Sequence, residues 1–288
     1  MPRYPVGGGT FPPWEAPCGV VLQSERGQMA RVAAVILCAG QGTRMGAGEN
    51  KVFLPLAGKP ALLWSVAAFE RAAAVDDILL VAHPDEVERV RALVAGAESR
   101  KVIGVVAGGV TRAGSERLAL AALRARIESG EIGLVMMHDA ARPLVTPEEI
   151  ERLARAARTL GGWGGALLVA PVGPDSEIGQ VEPDGALARL FAYGELARAQ
   201  TPQAFDARLL LAAYDRAEAD GFDGTDTAST VERLGAPVRI VSGSEDNLKL
   251  TTPDDLLRAE VIARVRTSPP DPLSSAEGAI VKQEGARE

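Results

Sequence analysis

The stretch "AAVILCAGQGTRMG", Ala33 to Gly46, ends an apolar run in a loop of glycines set around a single arginine. Glycines directly after a strand leave main-chain N–H groups free to point into an anion-sized hollow, and a guanidinium beside them grips phosphate through two donors. Gly40, Gly42 and Arg44 are therefore candidate phosphate-binding residues. Lys51, seven residues beyond Arg44 in "ENKVFLPLAGKP", is placed so that a loop wrapping a triphosphate carries its ammonium to the same anion. The spacing is not the dinucleotide fingerprint, which needs a third glycine three residues after the second, and it lacks the Gly-Lys-Ser/Thr ending of a P-loop. Taken alone, a plain tight turn explains the loop equally well.

The chain that must position this loop has 288 residues, 47% hydrophobic and 24% charged, enough for one domain with a full core. A formal net charge of −7 excludes a sequence-wide basic footprint for nucleic acid, so any phosphate-bearing partner is held by a few placed cations. Cys18 and Cys38 are too few for a disulfide framework, and Cys38 ends an apolar run where a buried thiol is common. No apolar stretch approaches the roughly 18 residues a spanning helix needs. A basic segment followed by an apolar run is missing from the N-terminus. These features predict a cytoplasmic protein with no membrane partner.

Short β-branched runs alternate with helical patterns. "RVAAVILCA", "DDILLVAH", "KVIGVVAGG", "GLVMMHDA", "GGALLVAPV" and "PVRIVSG" read as strands buried on both faces. Between them, Leu62, Leu63, Val66 and Phe69 form one helical face, and Val87, Val90 and Val94 another. Thr146, Pro147 and Glu149 spell a capping box, and Thr252, Pro253 and Asp255 repeat the device. The pattern predicts a three-layer α/β/α sandwich on a mainly parallel, Rossmann-like sheet, with ligands at the carboxyl ends of the strands.

Pro171 to Gln200 breaks the rhythm: short alternating pieces flank "EPDGA", a turn sequence, and predict a protruding β-arm that reaches a second subunit. The compact domain is expected to span residues 31–266. Residues 267–288 have the composition of a disordered tail. Residues 1–30 are rich in Pro and Gly, and either a disordered extension or a start site misplaced upstream of Met29 accounts for them.

Taken together, "LCAGQGTRMG" with "KVFLPLAGKP" resembles the signature loop of sugar-nucleotide and polyol-phosphate nucleotidyltransferases. "HDAARP" (His138 to Pro143), "QTPQAF" (Gln200 to Phe205), "GTDTAS" (Gly224 to Ser229) and "NLKLTTPDDL" (Asn247 to Leu256) follow in the order of one family. That family is 2-C-methyl-D-erythritol 4-phosphate cytidylyltransferase, of the non-mevalonate isoprenoid pathway, and the resemblance runs from Val32 to Ala263.

The resemblance implies that CTP and methylerythritol phosphate are joined with release of pyrophosphate, assisted by Mg²⁺, in a homodimer. It implies catalytic roles for Arg44, Lys51 and Lys249, cations around the α-phosphoryl group where charge gathers in the transition state. Ala39, Gly40, Gly42, Gly109, Ser115 and Ala140 match nucleotide-binding positions; Ser115 serves equally as cap of the helix "SERLALAALRAR". Asp139, closing a strand, suits a Mg²⁺ ligand or an acceptor of substrate hydroxyls, with a turn or capping aspartate as the plainer reading. Asp139, Arg142, Ser176, Thr201, Thr225 and Asp226 match acceptor-binding positions, Thr201 being also explicable as part of a rigid turn before Pro202. His138 reads as a packed histidine without catalytic duty, and His83 as a surface residue.

The arm departs from the family. Eight residues before Thr201, where the family places an arginine, stands Tyr193, and Glu177 and Ile178 follow Ser176 instead of a basic residue. Arg189 or Arg198 is a spatial replacement. The altered arm keeps open a ribitol 5-phosphate or other polyol-phosphate cytidylyltransferase, and a nucleotide-binding module without turnover.

Overall fold

The computed structural model describes residues 30–40, 49–97, 99–159, 164–172, 178–181, 187–191 and 196–267. Gly42, Arg44, Ser176 and Tyr193, like both terminal segments, lie outside the described residues. In chain order the elements are β1 (Arg31–Cys38), β2 (Pro55–Leu56), β3 (Lys59–Pro60), α1 (Ala61–Arg71), β4 (Asp77–Ala82), α2 (Val87–Ala95), β5 (Val102–Ala107) and α3 (Arg112–Glu128). There follow β6 (Ile132–Asp139), α4 (Pro147–Arg158), β7 (Gly165–Pro171), β8 (Ile178–Val181), β9 (Leu187–Phe191), β10 (Ala197–Asp206), α5 (Ala207–Ala219), α6 (Thr227–Glu232), β11 (Val238–Ser242) and α7 (Pro253–Thr267).

Seven strands form one sheet in the order β11-β7-β10-β6-β1-β4-β5. All run parallel except β10, which pairs antiparallel with β6 and β7. The expected sandwich is present, and its sheet is mainly parallel. Successive residues of β1 show why both faces are covered: Val32, Ala34, Ile36 and Cys38 enter one apolar cluster, while Ala33 and Val35 enter the other. The capping box at Thr146 and Glu149 forms as read, and at the start of α7 Asp255 accepts the N–H groups of Thr251 and Thr252.

Two expectations need correction. The sequence pattern left residues 197–206 without a strand, because "ARAQTPQAFD" carries a proline and two glutamines; it is β10, near the centre of the sheet. Its polar side chains find partners there: Gln203 donates to Asp226 at 3.1 Å and accepts from the Ala228 N–H at 3.0 Å. Thr201, whose bond to Pro202 is cis, thus belongs to a strand and not to a turn. Opposite Phe205 on β10 stands Gly165 on β7, where the ring occupies the space a side chain would need.

Within the arm, β8 and β9 pair antiparallel; the Pro-Asp-Gly sequence between them lies outside the described residues. The arm's two ends, Pro171 and Ala197, face each other in the β7–β10 ladder, so the arm grows directly out of the central sheet.

Candidate active site

At the carboxyl ends of β1, β5 and β6 lies a cleft of about 200 Å³, where open α/β sheets hold ligands. Ala39 and Gly40 form its rim after β1. Lys51 enters from a turn fixed by Asn50, whose side-chain amide donates to the Cys38 carbonyl at 3.1 Å and to Glu86 at 2.8 Å. The Lys51 ammonium donates to the Leu250 carbonyl at 2.8 Å. Lys249 arrives from the other side, on a segment pinned by the buried Leu248 and Leu250.

Asp139 closes β6 at the floor of the cleft. Lys249 Nζ lies 2.7 Å from its Oδ2, and Arg112 donates to its Oδ1 at 3.2 Å. Burial pushes this carboxyl up, but the Arg112 guanidinium and the Lys249 ammonium outweigh it and hold the group well below the usual carboxylate range. The Asp139 N–H donates to Thr201 Oγ1 at 3.0 Å. Asp139 is the only carboxylate lining the cleft among the described residues. Mg²⁺ commonly takes one or two protein carboxylates and completes its shell with phosphate oxygens and water. One carboxylate beside a triphosphate-sized cleft fits that demand.

The far wall is the loop after β5. Gly109 packs so tightly on the α3 backbone that a Cβ would sit 2.9 Å from the Gly114 carbonyl carbon. Its N–H donates to Ser115 Oγ at 3.1 Å, and Ser115 Oγ donates to the Thr111 carbonyl at 3.0 Å. Ser115 is not the cap of α3. Thr111 holds that place, accepting the Gly114 N–H, four residues earlier than read. The early start puts Arg112 in the first turn, facing the cleft, a residue the sequence reading passed over. A threonine two residues after a glycine pair at a strand end was the cue.

Not every expected residue joins this cleft. Ala140 is buried beneath it and donates its N–H to the Leu37 carbonyl at 2.9 Å; Ala141 lines the surface instead. Thr225 is exposed, and Asp226 caps α6 by accepting the Ser229 N–H at 2.9 Å; neither lines the cleft. His138 is fully buried against the Phe69 ring, and burial drives it down to about 3, leaving it neutral. Cys38 is buried as read, its thiol pushed up to about 12 by burial.

Lys249 also lines a second cavity, of about 240 Å³, with Arg142, Arg198, Gln200, Asn247 and Arg258. Arg142 is held by two carbonyls, donating to Asn247 at 2.8 Å and Ala199 at 3.2 Å, and burial pulls its pKa down. Of the two arm replacements considered, Arg198 is the one at this cavity, 3.6 Å from Glu245.

A mainly parallel sheet, with two lysines, an arginine and one carboxylate around a glycine-rimmed cleft beyond its strand ends, defines an α/β enzyme of the nucleotidyltransferase class. The family model for 2-C-methyl-D-erythritol 4-phosphate cytidylyltransferase matches residues 32–265. Curated proteins of that name include one from Halalkalibacterium halodurans, 42% identical over 230 residues covering 80% of this chain and 96% of that protein. Another, from Dehalococcoides mccartyi, is 38% identical over 234 residues, 81% of this chain and 96% of its own. The crystal structure of the Thermus thermophilus 2-C-methyl-D-erythritol 4-phosphate cytidylyltransferase superposes with a TM-score of 0.60 at 32% identity, covering 80% of this chain and 98% of that one. The chain belongs to the 2-C-methyl-D-erythritol 4-phosphate cytidylyltransferase family.

Proposed function

We infer that this enzyme joins CTP and 2-C-methyl-D-erythritol 4-phosphate into 4-diphosphocytidyl-2-C-methyl-D-erythritol, releasing pyrophosphate, for isoprenoid precursor synthesis in the cytoplasm. The carrying observation is that Lys249 lines both cavities, so one ammonium faces the nucleotide on one side and the acceptor on the other. An oxygen of the acceptor phosphate attacks the α-phosphorus in line. The bond to the β-phosphate oxygen breaks, and pyrophosphate carries that electron pair away. Little proton transfer is needed, so the chain's work is positioning and neutralisation.

In this reading Ala39, Gly40, Gly109 and Ser115 seat the nucleotide, and Lys51 with Arg44 takes up charge at the α-phosphoryl group. Lys249 aligns the acceptor phosphate, while Arg142 holds the acceptor, with Arg198 in place of the arginine that the family carries where Tyr193 stands. Asp139 would hold Mg²⁺ together with a phosphate oxygen. The ion, when bound, neutralises triphosphate charge and orients the leaving group. The arm, residues 171–200, joins two copies into a homodimer.

An acceptor panel at fixed CTP tests the reading through pyrophosphate release. Release with methylerythritol phosphate well above that with ribitol 5-phosphate supports it; release with no polyol phosphate overturns it. Chelation by EDTA is expected to abolish turnover and Mg²⁺ to restore it. Light scattering at micromolar concentration is expected to give the dimer mass, and a monomer would refute the role of the arm.

A further inference from the structure

Behind the cleft lies a set of buried charges that the roles above leave unused. Glu116, in the second turn of α3, is 1% exposed. Its Oε1 accepts from Thr227 Oγ1 at 2.6 Å and lies 2.8 Å from Arg112, and its Oε2 accepts from the Tyr214 hydroxyl. Burial pushes the Glu116 carboxyl up, and the Arg112 guanidinium pulls the other way. Arg112 continues the chain outward to Asp139 Oδ1, through Nε at 3.3 Å and a terminal nitrogen at 3.2 Å. Four charges on three segments, two of each sign, thus run in line from the packed interior to the cleft: Glu116, Arg112, Asp139 and Lys249.

We propose that Arg112 is a positioning residue of the reaction: anchored by Glu116, it fixes one oxygen of Asp139 so that the other is presented to the substrates. The inference rests on the cytidylyltransferase reading. The two cations on Asp139 differ in what restrains them. Lys249 is an ammonium on a flexible four-carbon stem, free to turn toward an arriving phosphate. Arg112 is a rigid fork that cannot leave Asp139 without stripping a buried carboxylate of its partner, which is strongly unfavourable. Phosphates that attract Lys249 therefore uncover Asp139 Oδ2 while Oδ1 stays where Arg112 holds it. An ion pair serving the core alone would be sealed, whereas the Arg112 side chain is 27% exposed and lines the cleft.

Two variants separate position from charge. Arg112→Lys keeps the charge and loses the fork; Glu116→Gln keeps the shape and loses the charge. Each is expected to lower kcat by about tenfold to a hundredfold, as for partners that orient a ligating group. KM for CTP should stay within about threefold of the wild type. In an Asp139→Asn background, Arg112→Lys should lower kcat less than about twofold further, because its effect passes through Asp139.

Wild-type kcat in both folded variants overturns the inference. So does a raised KM for CTP with unchanged kcat, which makes Arg112 a nucleotide contact, or a full further loss in the Asp139→Asn background. Should Arg112→Lys fail to fold, Glu116→Gln and Tyr214→Phe carry the same kcat readout, with melting temperature as the control. Wild-type turnover separates the two failures: its absence strikes the functional reading, its persistence in every variant strikes this one.

Discussion

The cleft and the second cavity share Lys249 and differ in how their charges are settled. In the cleft, Asp139 answers Lys249 and Arg112, and Glu116 answers Arg112 again. In the cavity, Arg142 rests on carbonyl oxygens, with no carboxylate at salt-bridge distance among the described residues and its buried Nε unpartnered. A buried cation without a counter-charge is costly unless an anion comes to it. The cleft's charges are balanced from within, while the cavity holds a guanidinium that only carbonyl oxygens answer.

Lys51→Ala should give the largest effect, a drop of about a hundredfold to a thousandfold in kcat with CTP affinity little changed, since the charge matters most at the transition state. Steady-state kinetics beside equilibrium CTP binding check this, and equal losses in both erase the distinction between binding and catalysis in the cleft. Next, Arg142→Ala should raise KM for the acceptor about tenfold to a hundredfold, the worth of a hydrogen bond to a charged group, and leave KM for CTP unmoved. An equal rise in both would show that the two regions are one site. Arg198→Ala, exposed and loosely paired with Glu245, should raise the acceptor KM about threefold to tenfold in the same assay; no change would exclude Arg198 from holding the acceptor.

A change remote from both regions sets the baseline. Asp77 is buried between Arg31 and Arg126, each 2.7 Å away, which together overcome the upward push of burial and hold its carboxyl below the ordinary value. A depressed folded pKa adds stability above the unfolded value, about 3.9, and that stability is lost as pH falls through the folded one. Asp77→Asn should therefore lower the melting temperature at pH 7 with neither KM altered, and the gap to the wild type should close below about pH 4.

What the chain reveals unaided follows the physics of each part. Six parallel strands were legible because apolar runs covered on both faces leave a plain trace, as did the helix start at Thr146. β10 was hidden, since a strand whose Gln200, Thr201 and Gln203 are satisfied by tertiary hydrogen bonds has no apolar period to show. Lys51, Lys249 and Asp139 were found through motif blocks and do meet. Arg112 was missed because the cap of α3 was placed at Ser115, four residues late. Thr225 and Asp226, read from a block of the same kind, stand apart from both cavities.

The reversed strand carries a consequence of its own. β10 leaves the hairpin at Ala197, hands a carbonyl to Arg142 at Ala199, and two residues later receives the Asp139 N–H on Thr201. A shift of this strand at Ala197 is thus felt by the partners of both Arg142 and Asp139 at once. Docking of the arm against a second copy, as proposed above, would be coupled to both cavities while touching neither.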